Sequence, residues 1–388
     1  MLNNLHIKNF RMLEDLEIPK LGRVNLIVGK NNSGKSTVLE AIRIFAGKAN
    51  SSLLREIILG HDESFSFESE VNSSGQQILT WASIRHLFNN RRLPTDEKNG
   101  IVIGSEKNLT IDYVYYYIET KEVVDENGDV DVIRKRIFVP QADLKRISET
   151  ENPIPAIRIR NGIRTSVFDL NDEIEVTRSS PFFQRSSAKE ITNCSHVPTD
   201  FLNAEALANL WDKIALSPKE DQVIQALQII DGHLDRLTFV EDINSPPSRN
   251  KNRLAIVKLN NSDERIPLNS MGDGMFRILQ LVLSVFPAKD GILLIDEFEN
   301  GLHFSVQEEV WRIIFKLAEE LNIQVFATTH SWDCIESFTK VAIENKKEDG
   351  VLLKVSKSKL TSDNGKVIAT VYDESELKTI TASDLEVR

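Results

Sequence analysis

Residues 29–37 read Gly29-Lys30-Asn31-Asn32-Ser33-Gly34-Lys35-Ser36-Thr37, a complete G-x-x-x-x-G-K-S run. Before it lies the apolar stretch Val24-Asn25-Leu26-Ile27-Val28; after it, Val38, Leu39, Ile42 and Phe45 recur at helical spacing. Strand, glycine-rich turn and helix in that order form the context that a phosphate-binding loop requires. Gly29 and Gly34 let the main chain wrap closely enough for its N–H groups to face phosphate oxygens, and the helix N-terminus adds a partial positive charge. Lys35 is expected to reach the β- and γ-phosphates of ATP, and the Ser36 hydroxyl to ligate Mg²⁺. Asn31, Asn32, Ser33 and Thr37 complete the predicted nucleotide-binding set.

Working outward, three further segments fit the same chemistry. Ile292-Leu293-Leu294-Ile295 is an apolar run that stops at Asp296-Glu297. A buried strand ending there in a parallel sheet puts Asp296 beside the phosphate loop, where it can hold a water of the Mg²⁺ shell. Glu297 then faces the γ-phosphate and is the predicted general base for the attacking water. Thr328-Thr329-His330 ends the next apolar strand, so His330 is expected to hydrogen-bond the γ-phosphate and sense its presence. Ser270 and Gly272 open a helix that begins near Met275 and form a second anion site at a helix N-terminus. One chain already has its phosphate loop, so this second site is read as completing a neighbour's nucleotide.

The rest of the chain alternates in character. Residues 1–28 read as three short strands, and residues 101–140 alternate around Glu126-Asn127-Gly128-Asp129, which predicts an antiparallel meander inserted as a sheet of its own. Residues 200–237 carry two helical patterns, a predicted helical lobe. From residue 275 helix and strand alternate, implying a parallel sheet covered on both faces. The tail from Val351 predicts a hairpin on Asn364-Gly365 followed by a short helix. The fold class expected is therefore α/β: a P-loop NTPase with a parallel core sheet and an antiparallel N-terminal sheet. Residues 1–60 and 251–388 are the two halves of the head, and residues 61–250 are an inserted β-meander and helical lobe.

Composition narrows the function classes. With 41% hydrophobic and 27% charged residues, the 388-residue chain matches a globular protein rather than a disordered or fibrous one. No run approaches about 18 apolar residues, and the N-terminus lacks the basic-then-apolar order of a signal peptide, so the expected compartment is the cytoplasm, with no membrane partner. Cys194 and Cys334, 140 positions apart, exclude a cysteine zinc site. The net charge of −11 offers no global field for nucleic acid, yet Arg158, Arg160 and Arg164, and Arg249, Lys251 and Arg253, form basic clusters. A two-residue spacing puts Arg158 and Arg160 on one side of a strand, suited to following phosphates.

The order of P-loop, Ser-x-Gly-Asp helix start, Leu-Leu-Ile-Asp-Glu, Glu299-Asn300-Gly301-Leu302-His303 and Thr-Thr-His resembles ABC-type ATPase heads of the SMC/RecF class, most closely those of the OLD (overcoming lysogenization defect) family. That resemblance implies two heads sandwiching two ATPs, with Ser270 and Gly272 acting on the partner's nucleotide and residues 299–303 standing as the D-loop between the two sites. It implies a homodimer or higher even oligomer, an ATP phosphohydrolase, and the sensing for or regulation of a separate effector, a Toprim-type or other toxic nuclease in antiphage defence. The chain departs from the family at Met271, where a glycine is usual, which implies looser trans contacts and slow or activator-dependent hydrolysis. Only 58 residues follow His330, too few for the Toprim domain that such proteins carry in the same chain. Gln76, Gln77 and Gln141 remain equal candidates for the Q-loop glutamine. The alternative function is a RecF-like DNA-repair clamp, with nucleic acid as partner.

Overall fold

A computed structural model describes residues 1–61, 80–94, 99–105, 108–124, 130–174, 192–241, 253–262, 264–345, 350–360, 363, 365–372 and 376. In chain order, β1 (Leu5–Phe10), β2 (Leu13–Ile18) and β3 (Val24–Val28) precede α1 (Lys35–Ala46) and α2 (Ser51–Gly60). Then come β4 (Ile101–Gly104), β5 (Asn108–Val124), β6 (Val130–Val139), β7 (Ile154–Asn161), β8 (Arg164–Asp169) and β9 (Cys194–Val197). The helices α3 (Ala204–Asp212) and α4 (Pro218–Leu227) lead to β10 (Leu234–Glu241), β11 (Arg253–Leu259) and β12 (Arg265–Pro267). The last part alternates: α5 (Asp273–Val285), β13 (Ile292–Ile295), α6 (Phe304–Glu320), β14 (Gln324–Thr329), α7 (Trp332–Glu344), β15 (Gly350–Lys357) and β16 (Val367–Tyr372).

The core sheet has the order β16-β15-β3-β14-β13-β9, parallel throughout except for the β15/β16 hairpin. Its central strands β3, β14 and β13 are buried along their whole length because both faces are covered, and they are mostly apolar. Side chains leave alternately: Leu26, Val28, Leu293, Ile295, Val325 and Ala327 join the core with α3–α7. Ile27, Leu294 and Phe326 pack instead against α1, α2 and the N-terminal sheet. Such alternation fixes register, since a one-residue slip would exchange the two faces. α6 contributes Trp311, stacked on Phe298 at 3.7 Å between ring centroids, so the helix is pinned to the turn that follows β13. Among the described residues no helix is long and apolar enough to cross a membrane.

Two expectations change. The strands of residues 101–140 do not form a sheet of their own: β4 pairs with β1, Ile7 opposite Ile103, giving the order β2-β1-β4-β5-β7-β8 with β6 on β5. The free edge of the β1/β2 hairpin needs main-chain partners, and a strand about 90 residues away supplies them. The middle of the chain also lends β9 to the core sheet, where it pairs with β13 from Cys194↔Ile292 to Val197↔Ile295. The predicted helical lobe matches α3 and α4, which pack beside a small antiparallel sheet, β10-β11-β12, that periodicity did not single out.

The C-terminal hairpin forms, but it closes through residues 358–366 instead of a two-residue Asn-Gly turn, with the Ser358 N–H donating to the Lys366 carbonyl at 2.8 Å. Most of the segment expected to form the short helix after it, together with Gln76, Gln77, Arg249 and Lys251, lies outside the described residues. Gln141 opens a 3₁₀ turn after β6.

Candidate functional site

The loop between β3 and α1 is shaped by its glycines. Gly29 has φ +154°, and a Cβ there would stand 2.2 Å from the Val355 carbonyl oxygen and 2.7 Å from Ser33 Oγ. Gly34, at φ +105°, caps α1, whose first turn carries no acidic residue and so keeps its N–H groups and positive end for an anion. Lys35 is 8% exposed, and its ammonium donates to the carbonyls of Gly29 at 2.8 Å and Lys30 at 3.1 Å. Burial lowers its pKa, and the carboxylates of Glu297, Asp296 and Glu299 oppose that shift. Gly29→Ala is expected to cost about 2–4 kcal/mol, from backbone strain together with the collision against β15. Chemical denaturation checks this, and an unchanged midpoint would mean that β15 does not press on the loop.

Asp296 and Glu297 follow β13 on the same edge of the sheet. The Ser36 hydroxyl donates to Asp296 Oδ1 at 3.2 Å, and the Thr328 hydroxyl donates to the same oxygen. Glu297 has φ +48°, a left-handed conformation uncommon for a residue with a side chain. Two neighbours hold that bend. Thr328 Oγ1 accepts the Glu297 N–H at 2.9 Å, and the guanidinium of Arg277, from α5, donates to the carbonyls of Asp296 at 2.9 Å and Glu297 at 2.7 Å. Arg277 is wholly buried and also donates to the Pro198 carbonyl at 2.9 Å. Burial brings its pKa down to about 10, against the pull of Glu299, Asp296 and Glu297.

His330 Nδ1 lies 3.7 Å from the Glu297 carboxylate and 3.1 Å from that of Glu299. The structure thus brings Lys35, Ser36, Asp296, Glu297 and His330 to one edge of the core sheet. Two cavities border the loop. One of about 770 Å³ includes Arg11, Met12, Glu14, Asn32 and Thr37; another of about 640 Å³ includes Lys30, Asn31, Ser33, Lys354 and Lys357. Each is large enough for a mononucleotide-sized ligand.

Ser270 and Gly272 share none of these contacts. Ser270 is exposed and its hydroxyl donates to the Pro267 carbonyl at 2.7 Å. Gly272, at φ +93°, caps α5 with nothing within 4 Å of where a Cβ would stand.

Arg158 and Arg160 do lie on one side of β7, but both face Asp112, at 3.2 and 2.9 Å. Asp112 is 3% exposed, and a buried carboxylate requires cationic partners. Arg158, its side chain 15% exposed, is packed against Asp112, whereas the Arg160 side chain stays 48% exposed beside the same carboxylate. Arg253 likewise pairs with Asp212, at 3.0 Å from Nη2. The site also contains Thr328 and Glu299, which the sequence motifs include without giving them roles of their own, and Arg277, whose trace in the sequence is a charge within the strongly apolar run of α5.

A family model described as "AAA domain, putative AbiEii toxin, Type IV TA system" matches residues 24–333. Among curated proteins, an ATP/GTP phosphatase of Helicobacter pylori is 25% identical over 364 residues, covering 89% of this chain and 89% of that one. An OLD nuclease of Thermus scotoductus is 24% identical over 351 residues, covering 85% of this chain and 59% of the nuclease. Among solved structures, an SMC head bound to the C-winged helix domain of ScpA matches with a TM-score of 0.47 and 11% identity, over 98% of this chain and 99% of that one.

Proposed function

The chain belongs to the family described as "AAA domain, putative AbiEii toxin, Type IV TA system", and on that premise we propose that it is a nucleotide-gated dimer, or higher even oligomer, that relays its ATP state to a separate effector. It is an ATPase of the SMC/RecF/Rad50 ABC type, built on a P-loop α/β fold. The observation that carries the dimer is the division of the site. The hydrolytic groups meet on one edge of the sheet, whereas Ser270 and Gly272 stand exposed at the start of α5, open to a second copy.

In this reading the main chain of residues 29–37 cradles the phosphates, with Lys35 at the β/γ pair. Ser36 and Asp296 hold Mg²⁺, and the fit is chemical: two oxygen donors 3.2 Å apart, the donor type that a hard cation takes. When bound, the ion offsets phosphate charge. Glu297 orients the attacking water and accepts its proton. His330 hydrogen-bonds the γ-phosphate, and the partner's copy of the 270–272 turn closes over it. Residues 1–60 and 251–388 supply most of the head, to which residues 61–250 add β4 in the N-terminal sheet and β9 in the core sheet.

The effector class, a Toprim-type nuclease in antiphage defence in the cytoplasm, rests on likeness to the relative named OLD nuclease, of which this chain covers 59%. The DNA-clamp alternative would use the half-exposed Arg160, while Arg158 is packed against Asp112.

Light scattering with and without Mg-ATP tests the gate. The mass is expected to double with ATP, and Ser270→Arg is expected to stay at the starting mass while still binding nucleotide. A mass indifferent to ATP in the unaltered protein overturns the gate.

A further inference from the structure

We infer that Glu299 is a positioning residue for hydrolysis, its carboxylate fixing the imidazole of His330 so that only the Nε2 edge is left for the terminal phosphate. The inference rests on the γ-phosphate role proposed for His330. Glu299 Oε1 accepts the main-chain N–H groups of His330 at 3.0 Å and Ser331 at 3.2 Å, and lies 3.1 Å from His330 Nδ1. Two main-chain donors immobilise the carboxylate. The side chain of Glu299 is 11% exposed, against 51% for that of His330, so the holder is packed and the ring is presented.

The neighbours of the ring assign its protons. Nδ1 faces two carboxylates, that of Glu299 and, at 3.7 Å, that of Glu297. Neither can donate when ionised, so Nδ1 carries a hydrogen and Nε2 is the nitrogen left for a ligand; a phosphate oxygen only accepts, so that bond needs a hydrogen on Nε2 as well. The negative charge of Glu299 also offsets that of a ring protonated on both nitrogens. The same orienting logic fixes metal-bound histidines, where a carboxylate on the second nitrogen sets tautomer and ring plane.

Glu299 also interacts electrostatically with the buried Arg277. Its Oε2 is buried without a hydrogen bond, as is Nε of Arg277, and Glu299 is the strongest of the charges that favour the protonated form of this arginine. Its main chain belongs to the tight turn after β13: the Asn300 N–H donates to the Glu297 carbonyl at 3.0 Å and the Leu302 N–H to the Glu299 carbonyl at 2.9 Å. Asn300 Nδ2 adds a bond to the Thr199 carbonyl at 2.7 Å. A shift of this turn, the D-loop of the family resemblance, is thereby carried to the imidazole at the end of β14.

Steady-state ATP hydrolysis by Glu299→Ala, Glu299→Gln, His330→Ala and the Glu299→Ala/His330→Ala pair tests the inference, with nucleotide binding and thermal melting measured on each. Glu299→Ala is expected to lower kcat about 10- to 100-fold, the scale of lost orienting partners, with KM within about twofold. Glu299→Gln keeps an acceptor in place and is expected to recover most of that loss. The pair is expected to be no slower than His330→Ala alone, because the carboxylate acts through the ring. If Glu299→Ala unfolds, the near-isosteric Glu299→Met, which also lacks an acceptor, takes its place in the cycle. Multiplying losses, or a wild-type kcat for Glu299→Ala beside a slow His330→Ala, overturns the positioning role and leaves that of His330 standing. A wild-type kcat for His330→Ala overturns both.

Discussion

Lys35→Ala is expected to reduce ATP hydrolysis about 10²–10³-fold and to weaken nucleotide binding, with the melting temperature nearly unchanged. The loss follows from removing the one buried cation whose ammonium sits in the loop, within reach of phosphates that otherwise meet main-chain N–H groups. The fold should tolerate the change. Asp296 keeps its bonds from Ser36 and Thr328, so no carboxylate loses its hydrogen-bond donors. The desolvation that lowers the pKa of Lys35 is also removed. Titration calorimetry beside a thermal melt separates the two effects. Wild-type turnover in this variant would mean that the loop is not where the reacting phosphates lie.

Glu297→Gln is expected to reduce turnover about 10²–10⁴-fold while leaving ATP binding intact, so that the ATP-bound dimer accumulates. Glutamine keeps the length of the side chain and leaves untouched the left-handed bend, because Thr328 and Arg277 hold it through main-chain atoms only. What disappears is the proton acceptor. Single-turnover kinetics together with the mass in ATP decide the matter. A variant that hydrolyses normally, or one that dissociates as readily as the unaltered protein, would assign the base elsewhere.

Much of this site was legible in one dimension. The strand, turn and helix around Gly29–Thr37 are local, each enforced by neighbours within a few positions: β3 ends at Val28 and α1 begins at Lys35 as the pattern implies. The carboxylates after β13 and the histidine after β14 were equally readable, because buried parallel strands announce themselves as unbroken apolar runs. What escaped depends on residues far apart in the chain. Asp112 calls Arg158 inward from 46 positions away, and nothing in the run Ile157-Arg158-Ile159-Arg160 distinguishes a paired arginine from a solvated one. The union of β1 with β4 is likewise a matter of which edge remains open after the hairpin closes. β9 is four residues long, too short for periodicity to register, and the positive φ of Glu297 is imposed by Arg277 and Thr328 rather than by its own side chain.

Arg277 has one more implication. The helix that begins with the exposed 270–272 turn carries, about one turn further on, the guanidinium that grips the carbonyls of Asp296 and Glu297. The surface that would greet a neighbouring subunit and the carboxylate that would aim the water thus ride on a common lever. Pressure applied at one end need not travel through side chains of intermediate loops; it is delivered to the other end by the stiffness of a single helix.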